Sequence, residues 1–268
     1  MTETAIPEAE SDGAERLAKR VARLKSCSRR EAEQYIESGW VRVDGQIIEA
    51  PQFKVLNQKI EIDTNARLGA VDAVTLLLHK PAGYDAGPHA PLPMALITVA
   101  SHSPEDRSGI RIINRHFAKQ ELRLSLEAAA SGLVVLTQDF RVARKLSEDA
   151  SKIEQEFVVE VALPDNTSAA SPPKAGTSDA AELRAGFLTR LNRGIAFKER
   201  MPPYIKVSWQ NETRLRFAMK DVQAGQIAHM CASFGLKVIS MKRIRIGRIP
   251  MAGLQSGQWR YLGAAEKF

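Results

Sequence analysis

The side chains in this sequence best suited to chemistry with a partner are its cations. Between Arg16 and Arg30 lie seven basic residues (Arg16, Lys19, Arg20, Arg23, Lys25, Arg29 and Arg30) and no acidic one. From Lys237 to Arg260 six more follow (Lys237, Lys242, Arg243, Arg245, Arg248 and Arg260), again without an acid. Such clusters attract a polyanion over long range, and each phosphate they neutralise releases condensed counterions. Nucleophile and metal-ligand types are sparse. The two cysteines, Cys27 and Cys231, form no C-x-x-C pair and have no nearby histidine ladder, which argues against a disulfide framework and a structural zinc site. Both are expected to be small buried apolar residues. His79, His116 and His229 each stand without a spaced partner, so no chemistry and no metal site is assigned to them.

These residues must be held by a fold, and its outline is legible. The chain has 268 residues, 44% apolar and 26% charged, with a net charge of +7, which suits one small and one medium soluble domain. No segment approaches the roughly 20 continuous apolar residues of a membrane helix, and the N-terminus is acidic and polar, so a cytoplasmic protein is expected. Residues 1–14 read as a flexible tail. From Glu15 the pattern is helical, with Leu17, Val21 and Leu24 as its apolar stripe. Ser28 opens a second helix as N-cap, with Glu31 completing a capping box; Ala32, Tyr35 and Ile36 form its stripe, and Gly39 stops it. Alternation around Asp44-Gly45 predicts a hairpin from Trp40 to Ile48.

This helix-helix-hairpin unit, with S-R-R-E-A at 28–32 followed by I-x-x-G-x-V-x-V-x-G at 36–45, resembles the alpha-L RNA-binding motif. The resemblance implies a module over 15–63 whose helices present basic side chains to structured RNA. Arg16, Lys19, Arg20, Arg29, Arg30 and Arg42 are the residues so implicated. A linker over about 65–72 leads to a strand-like run from Val74 to Leu78, which is expected to break at His79-Lys80-Pro81. Apolar runs at 132–137, 157–161, 205–209, 215–219 and 238–241 alternate with helical stretches at 141–150 and 224–234. An α+β domain over 73–263 with a large mixed, mostly antiparallel sheet is predicted. Residues 164–181, rich in Ser, Ala, Pro and Gly, are expected to be a mobile insertion.

Four stretches of this larger domain carry a second resemblance. L-L-L-H-K-P-A-G-Y at 76–84, L-E-A-A-A-S-G-L-V-V-L-T-Q-D at 126–139, E-Q-E-F-V-V-E-V at 154–161 and Q-I-A-H-M-C-A-S-F-G-L-K-V at 226–238 resemble the bacterial ribosomal-RNA pseudouridine synthases, in the branch with an alpha-L module. That family implies a fold, a partner (ribosomal RNA or pre-ribosomal particles, with no membrane) and a reaction that needs no cofactor. An aspartate in G-R-L-D-x-x-T-S-G-L acts on a uridine flipped out of its stack, an aromatic stacks on the base, and basic side chains hold the phosphates. Carried over residue by residue, the aspartate falls on Glu127 and the stacking aromatic on Phe157. Lys80, Lys242 and Arg243 are the phosphate-side candidates.

The departures from the pattern lie where the chemistry would be. Anchored on Ser131-Gly132-Leu133, G-R-L-D becomes Leu124-Ser125-Leu126-Glu127 and the threonine becomes Ala130. K-x-Y becomes Gln155-Glu156-Phe157, and G-K-x-R-Q-I-R-R-M becomes Val222 to Met230, with three arginines missing. The expectation is therefore an RNA-binding member of the family with lost or weakened catalysis. The alternative is a divergent synthase that uses Glu127, which requires Glu127 to point into a cleft lined by Phe157, Lys80 and at least one arginine.

Overall fold

The structure is a computed structural model and describes residues 13–68, 72–85, 93–162 and 186–268. Its contacts divide the chain into two units: residues 1–72 with 111–118, and residues 73–110 with 119–268. The predicted insertion at 164–181 and most of the predicted N-terminal tail lie outside the described residues.

In the first unit a short strand β1 (Glu15–Arg16) pairs with β4 (Lys54–Val55), and helix α1 (Leu17–Lys25) begins only after it. The helical pattern thus starts two residues later than predicted. Helix α2 (Arg29–Glu37) opens on the expected capping box: the Ser28 hydroxyl accepts from the Glu31 N–H at 3.3 Å, and the Ser28 N–H donates to the Glu31 carboxylate at 2.7 Å. Leu17, Ala18 and Val21 pack against Ala32, Tyr35 and Ile36, with Val41, Val43 and Val55 closing the core. Leu24, predicted to share that stripe, is 55% exposed. The buried face is completed by Ala18 instead, one position round the helix.

Strands β2 (Val41–Val43) and β3 (Gln46–Ile47) form the hairpin, with β5 (Ile60–Ile62) on the other edge of β2. Asp44 and Gly45 both take positive φ, 49° and 82°, the geometry of a two-residue turn whose twist matches the strands. Residues 111–118 return to this unit. The Arg111 guanidinium lies 4.4 Å from the Trp40 ring centroid and donates to the Gly39 carbonyl at 2.6 Å and to Asp63 at 2.8 Å.

The second unit is built on a nine-stranded sheet among the described residues. Its strands are β6 (Thr75–Lys80), β7 (Glu121–Arg123), β8 (Ser131–Thr137), β9 (Glu154–Ala162), β10 (Ile205–Trp209), β11 (Arg214–Lys220), β12 (Lys237–Ile246), β13 (Ile249–Pro250) and β14 (Trp259–Tyr261). The order is β10-β11-β9-β12-β8-β6-β14, with β7 beside β8 and β13 beside β12. Every pairing is antiparallel except β12 with β8, so the predicted α+β class with a mixed, mostly antiparallel sheet holds.

Strand β6 does not break at His79. It runs to Lys80, because His79 and Lys80 pair with Leu133 and Gly132 in β8. Strand β12 runs five residues past its predicted end at Met241. A bulge between Arg243 and Arg245 kinks it, pairing Arg243 with Phe157 but Arg245 with Glu156. Helix α3 (Phe140–Glu148) is capped by Asp139, whose carboxylate accepts from the Arg141 N–H at 2.7 Å. Leu146 of α3 packs with Leu77, Leu133, Val135, Ile153 and Ile246. Helix α4 (Gln226–Ala232) buries Ile227, Met230 and Cys231.

Candidate functional site

The site begins where β8 comes unusually close to β12. Gly132, at φ 120°, leaves no room for a side chain: a Cβ there would sit 2.3 Å from the Arg243 carbonyl oxygen. This approach sets Arg243 beneath the loop that joins β7 to β8, the loop that carries Glu127. Arg243 is 1% exposed. Its Nε donates to Leu133 O at 2.7 Å, and its Nη atoms to Leu124 O at 2.8 Å, Ser125 O at 3.2 Å and Gln155 Oε1 at 2.9 Å. Burial pulls its pKa down to about 9, so it stays charged at neutral pH. Leu124 takes φ 54°, a left-handed conformation that costs a non-glycine residue roughly 1–2 kcal/mol. Its carbonyl's bond to the guanidinium helps hold it there.

Lys80 fixes the other end of the loop. Its ammonium is buried and donates to the carbonyls of Ala130 (2.6 Å), Tyr84 (2.6 Å), Pro81 (3.0 Å) and Ala128 (3.4 Å). Burial pushes its pKa down to about 8, opposed in part by the carboxylates of Asp85 and Glu127. Four carbonyls saturate the three N–H donors, which leaves no face for a phosphate. Lys80 and Arg243, both carried over from the resemblance as RNA-facing, are therefore corrected: each braces the Glu127 loop from inside. Lys242 is exposed, but as register partner of Val158 and Ser131 it points to the opposite sheet face from its neighbour Arg243.

Between loop and sheet lies a cleft lined by Ser125, Leu126, Glu127, Gln155, Phe157, Gln223, Ala224, Ile227, Met241 and Arg243. Glu127 is half-buried at its rim; its carbonyl accepts from the Ala130 N–H at 3.1 Å, while its carboxylate makes no hydrogen bond or ion pair to any described residue. Phe157 is 2% exposed and forms part of the floor, beside its register partner Phe217. A base could stack on it only after the cleft opens. The cleft is narrow, with a volume of about 10 Å³, room for roughly one water. The cleft thus brings Glu127, Phe157 and one arginine together, with Lys80 just behind the loop. It does not pair the glutamate with a cation.

In the first unit Arg16, Lys19, Arg29, Arg30 and Arg42 are exposed. Arg20 is half-buried, donating to Glu15 at 3.1 Å. Arg23 and Lys25 were left out of the set implicated by resemblance, yet both are exposed on α1; the unbroken basic run was the signal. The second run, 237–260, is not one surface patch. Arg243 is buried, Arg260 is bound to Glu266 at 2.6 Å and 2.8 Å, and Arg245 is bound to Glu154 and Glu156. Cys231 is buried, with its thiol pushed up to about 12 by desolvation, whereas Cys27, predicted buried, is only half so. His79 is buried with Nδ1 2.8 Å from Leu254 O. His116 is buried as well, and burial lowers both pKa values. His229 stands 5.3 Å from the Phe197 ring. Among the described residues no three metal-ligating side chains gather, and no helix is long and apolar enough to cross a membrane.

Comparison with known proteins agrees with this architecture. Residues 15–57 match the S4 domain family. An uncharacterized RNA pseudouridine synthase of Aquifex aeolicus is 22% identical over 255 residues, covering 94% of both chains. Ribosomal large subunit pseudouridine synthase B of Bacillus subtilis is 26% identical over 259 residues, 92% of each. The dual-specificity RNA pseudouridine synthase RluF of Escherichia coli is 25% identical over 94% of this chain and 76% of its own. A crystal structure of a pseudouridylate synthase superposes with a TM-score of 0.53 at 17% identity, over 92% of this chain and 95% of that one.

Proposed function

We infer that this homologue of the RNA pseudouridine synthases, an S4 domain ahead of a pseudouridine synthase fold, binds ribosomal RNA or pre-ribosomal particles and has lost or much weakened the isomerisation. The observation that carries the second half is the unpaired Glu127. Arg243, which lines the same cleft, directs its donors to the carbonyls of Leu124, Ser125 and Leu133 and to the Gln155 amide. A carboxylate that must act on a flipped base needs a fixed position, and no hydrogen bond or ion pair to a described residue fixes this one. Glutamate in place of aspartate also moves the charge by about 1 Å, a displacement that costs on the order of a hundredfold in rate. The S4 domain, with five exposed cations among its implicated residues, supports the RNA-binding half.

A divergent synthase is the second reading, favoured by one observation: Glu127, Phe157 and Arg243 line a single cleft. The test is mass-spectrometric mapping of pseudouridine in ribosomal RNA from cells with and without the gene, alongside the purified protein and its Glu127→Ala variant. No gene-dependent pseudouridine, with equal RNA affinity for both proteins, is the expected result. Pseudouridine made by the wild type and abolished in Glu127→Ala would overturn it and install Glu127 as the catalytic residue. Glu127→Asp alone is expected to stay inactive, since repairing one member of a broken set recovers little. Combined with Ser125→Arg it is the smallest repair expected to give turnover.

A further inference from the structure

The sheet face turned away from Glu127 carries a second, larger cleft, built by strand alternation and one bulge. Glu154 and Lys220 are register partners on β9 and β11, each one residue out of phase with Gln155 and Met219, whose side chains are buried on the Glu127 side. In a regular strand Arg243 and Arg245 would share a face. The bulge between them sends Arg243 to the Glu127 cleft and Arg245, with Glu156, to the other side. The end of α3 supplies Lys145, and the turn after β12 supplies Arg248. The cleft has a volume of about 410 Å³, and the side chains lining it include five cations (Lys145, Lys152, Lys220, Arg245, Arg248) and two anions (Asp149, Glu154).

The cations divide into two kinds. Arg245 donates to Glu154, Glu156 and the Gly247 carbonyl, and Lys152 donates to Asp149 at 2.8 Å; these pairs hold the walls. Lys145, Lys220 and Arg248 have no carboxylate at ion-pair distance among the described residues, and Lys220 lies 5.3 Å from the Tyr204 ring centroid. Three unneutralised charges around one concavity focus the potential there and favour an anion. Lys242, exposed on the same face, extends the positive character beyond the cleft, whereas Arg216 there is bound to Glu156.

We propose that this cleft is a second RNA-docking site, in which Lys145, Lys220 and Arg248 take phosphodiester groups of the RNA backbone on the sheet face opposite Glu127. The proposal rests on the reading that the chain binds RNA, and adds a contact that neither the S4 domain nor the Glu127 cleft supplies. Lysine and arginine side chains with few groups placed to read base edges hold the backbone and carry no sequence preference of their own.

The test uses the full chain and one fluorescently labelled ribosomal-RNA stem-loop, titrated at several salt concentrations. Lys220→Glu with Arg248→Glu is expected to weaken binding at least tenfold. The milder Lys220→Gln with Arg248→Gln should lower the salt slope by about 1.5, roughly two phosphate contacts, with melting unchanged. Arg214→Glu with Lys237→Glu, at the far ends of β11 and β12, makes the same change in net charge and should leave affinity within about twofold. Equal weakening by the two reversals would show a net-charge effect and overturn the site. Wild-type affinity and slope in both cleft variants, with binding lost in Arg29→Ala/Arg30→Ala, would overturn the cleft alone. A wild-type chain that binds no RNA would overturn the RNA-binding reading and this site with it.

Discussion

Replacing Gly132 by alanine should cost the second unit more stability than any other single methyl group. The added Cβ would meet the carbonyl oxygen, nitrogen and carbonyl carbon of Arg243 at 2.3, 2.5 and 2.9 Å. All three are backbone atoms in the middle of a sheet, so no side-chain rotation relieves the clash. Either β8 and β12 part locally or Gly132 leaves its φ of 120°, a region L side chains avoid. Backbone strain of this kind costs about 1–3 kcal/mol, and overpacking a well-filled interior about 1–3 kcal/mol more. A loss of about 4 kcal/mol follows, which at roughly 2–4 °C per kcal/mol for a unit of this size is a fall of about 8–16 °C in Tm. Urea and thermal unfolding followed by tryptophan fluorescence would measure it, because Trp209 and Trp259 report on the second unit and Trp40 on the first. A loss below about 1 kcal/mol with an unchanged denaturant slope would refute the close-approach argument. So would a transition weakened in the first unit instead.

Two further outcomes are expected. Arg29→Ala with Arg30→Ala should weaken RNA binding and flatten its salt dependence by close to one unit per lost phosphate contact, as read by titration at several salt concentrations; unchanged affinity and slope would remove α2 from the RNA-facing surface. The Glu156 carboxyl is held below its ordinary value of 4.5 chiefly by its hydrogen bond from Arg245, with Arg216 adding to it. Its contribution is therefore fully present above pH 4.5 and is lost as pH falls through the lowered folded value. Urea unfolding between pH 6 and 3 should show a steeper acid loss for wild type than for Glu156→Gln, and parallel curves would contradict the assignment.

What the sequence disclosed follows from how far apart the deciding atoms lie along the chain. The Ser28–Glu31 capping box and the Asp44-Gly45 turn involve residues within four positions of each other, so their chemistry is legible in the text. The S-G-L anchor likewise placed Glu127 on the loop before β8. Burial of Lys80 and Arg243 was not legible, because it depends on carbonyls up to 119 residues away. Nor was the bulge that separates Arg243 from Arg245, since strict alternation would have put both on one face. Leu24 shows the converse limit: its spacing from Val21 fits a buried stripe, but the face that α1 turns to its neighbours is Leu17, Ala18 and Val21, and Leu24 falls outside it.

The return of residues 111–118 to the first unit bears on how such a module can be inherited or transplanted. A fragment ending at residue 72 keeps every S4 residue from 15 to 57 yet lacks Arg111, so the Trp40 ring, the Gly39 carbonyl and the Asp63 carboxylate all lose their shared partner. Gly39 loses its neighbour Ile113 as well. The RNA-binding unit is thus completed by chain encoded about forty residues downstream, inside the gene segment for the synthase fold. Recombination at the linker around residues 65–72 would hand on a module without these contacts.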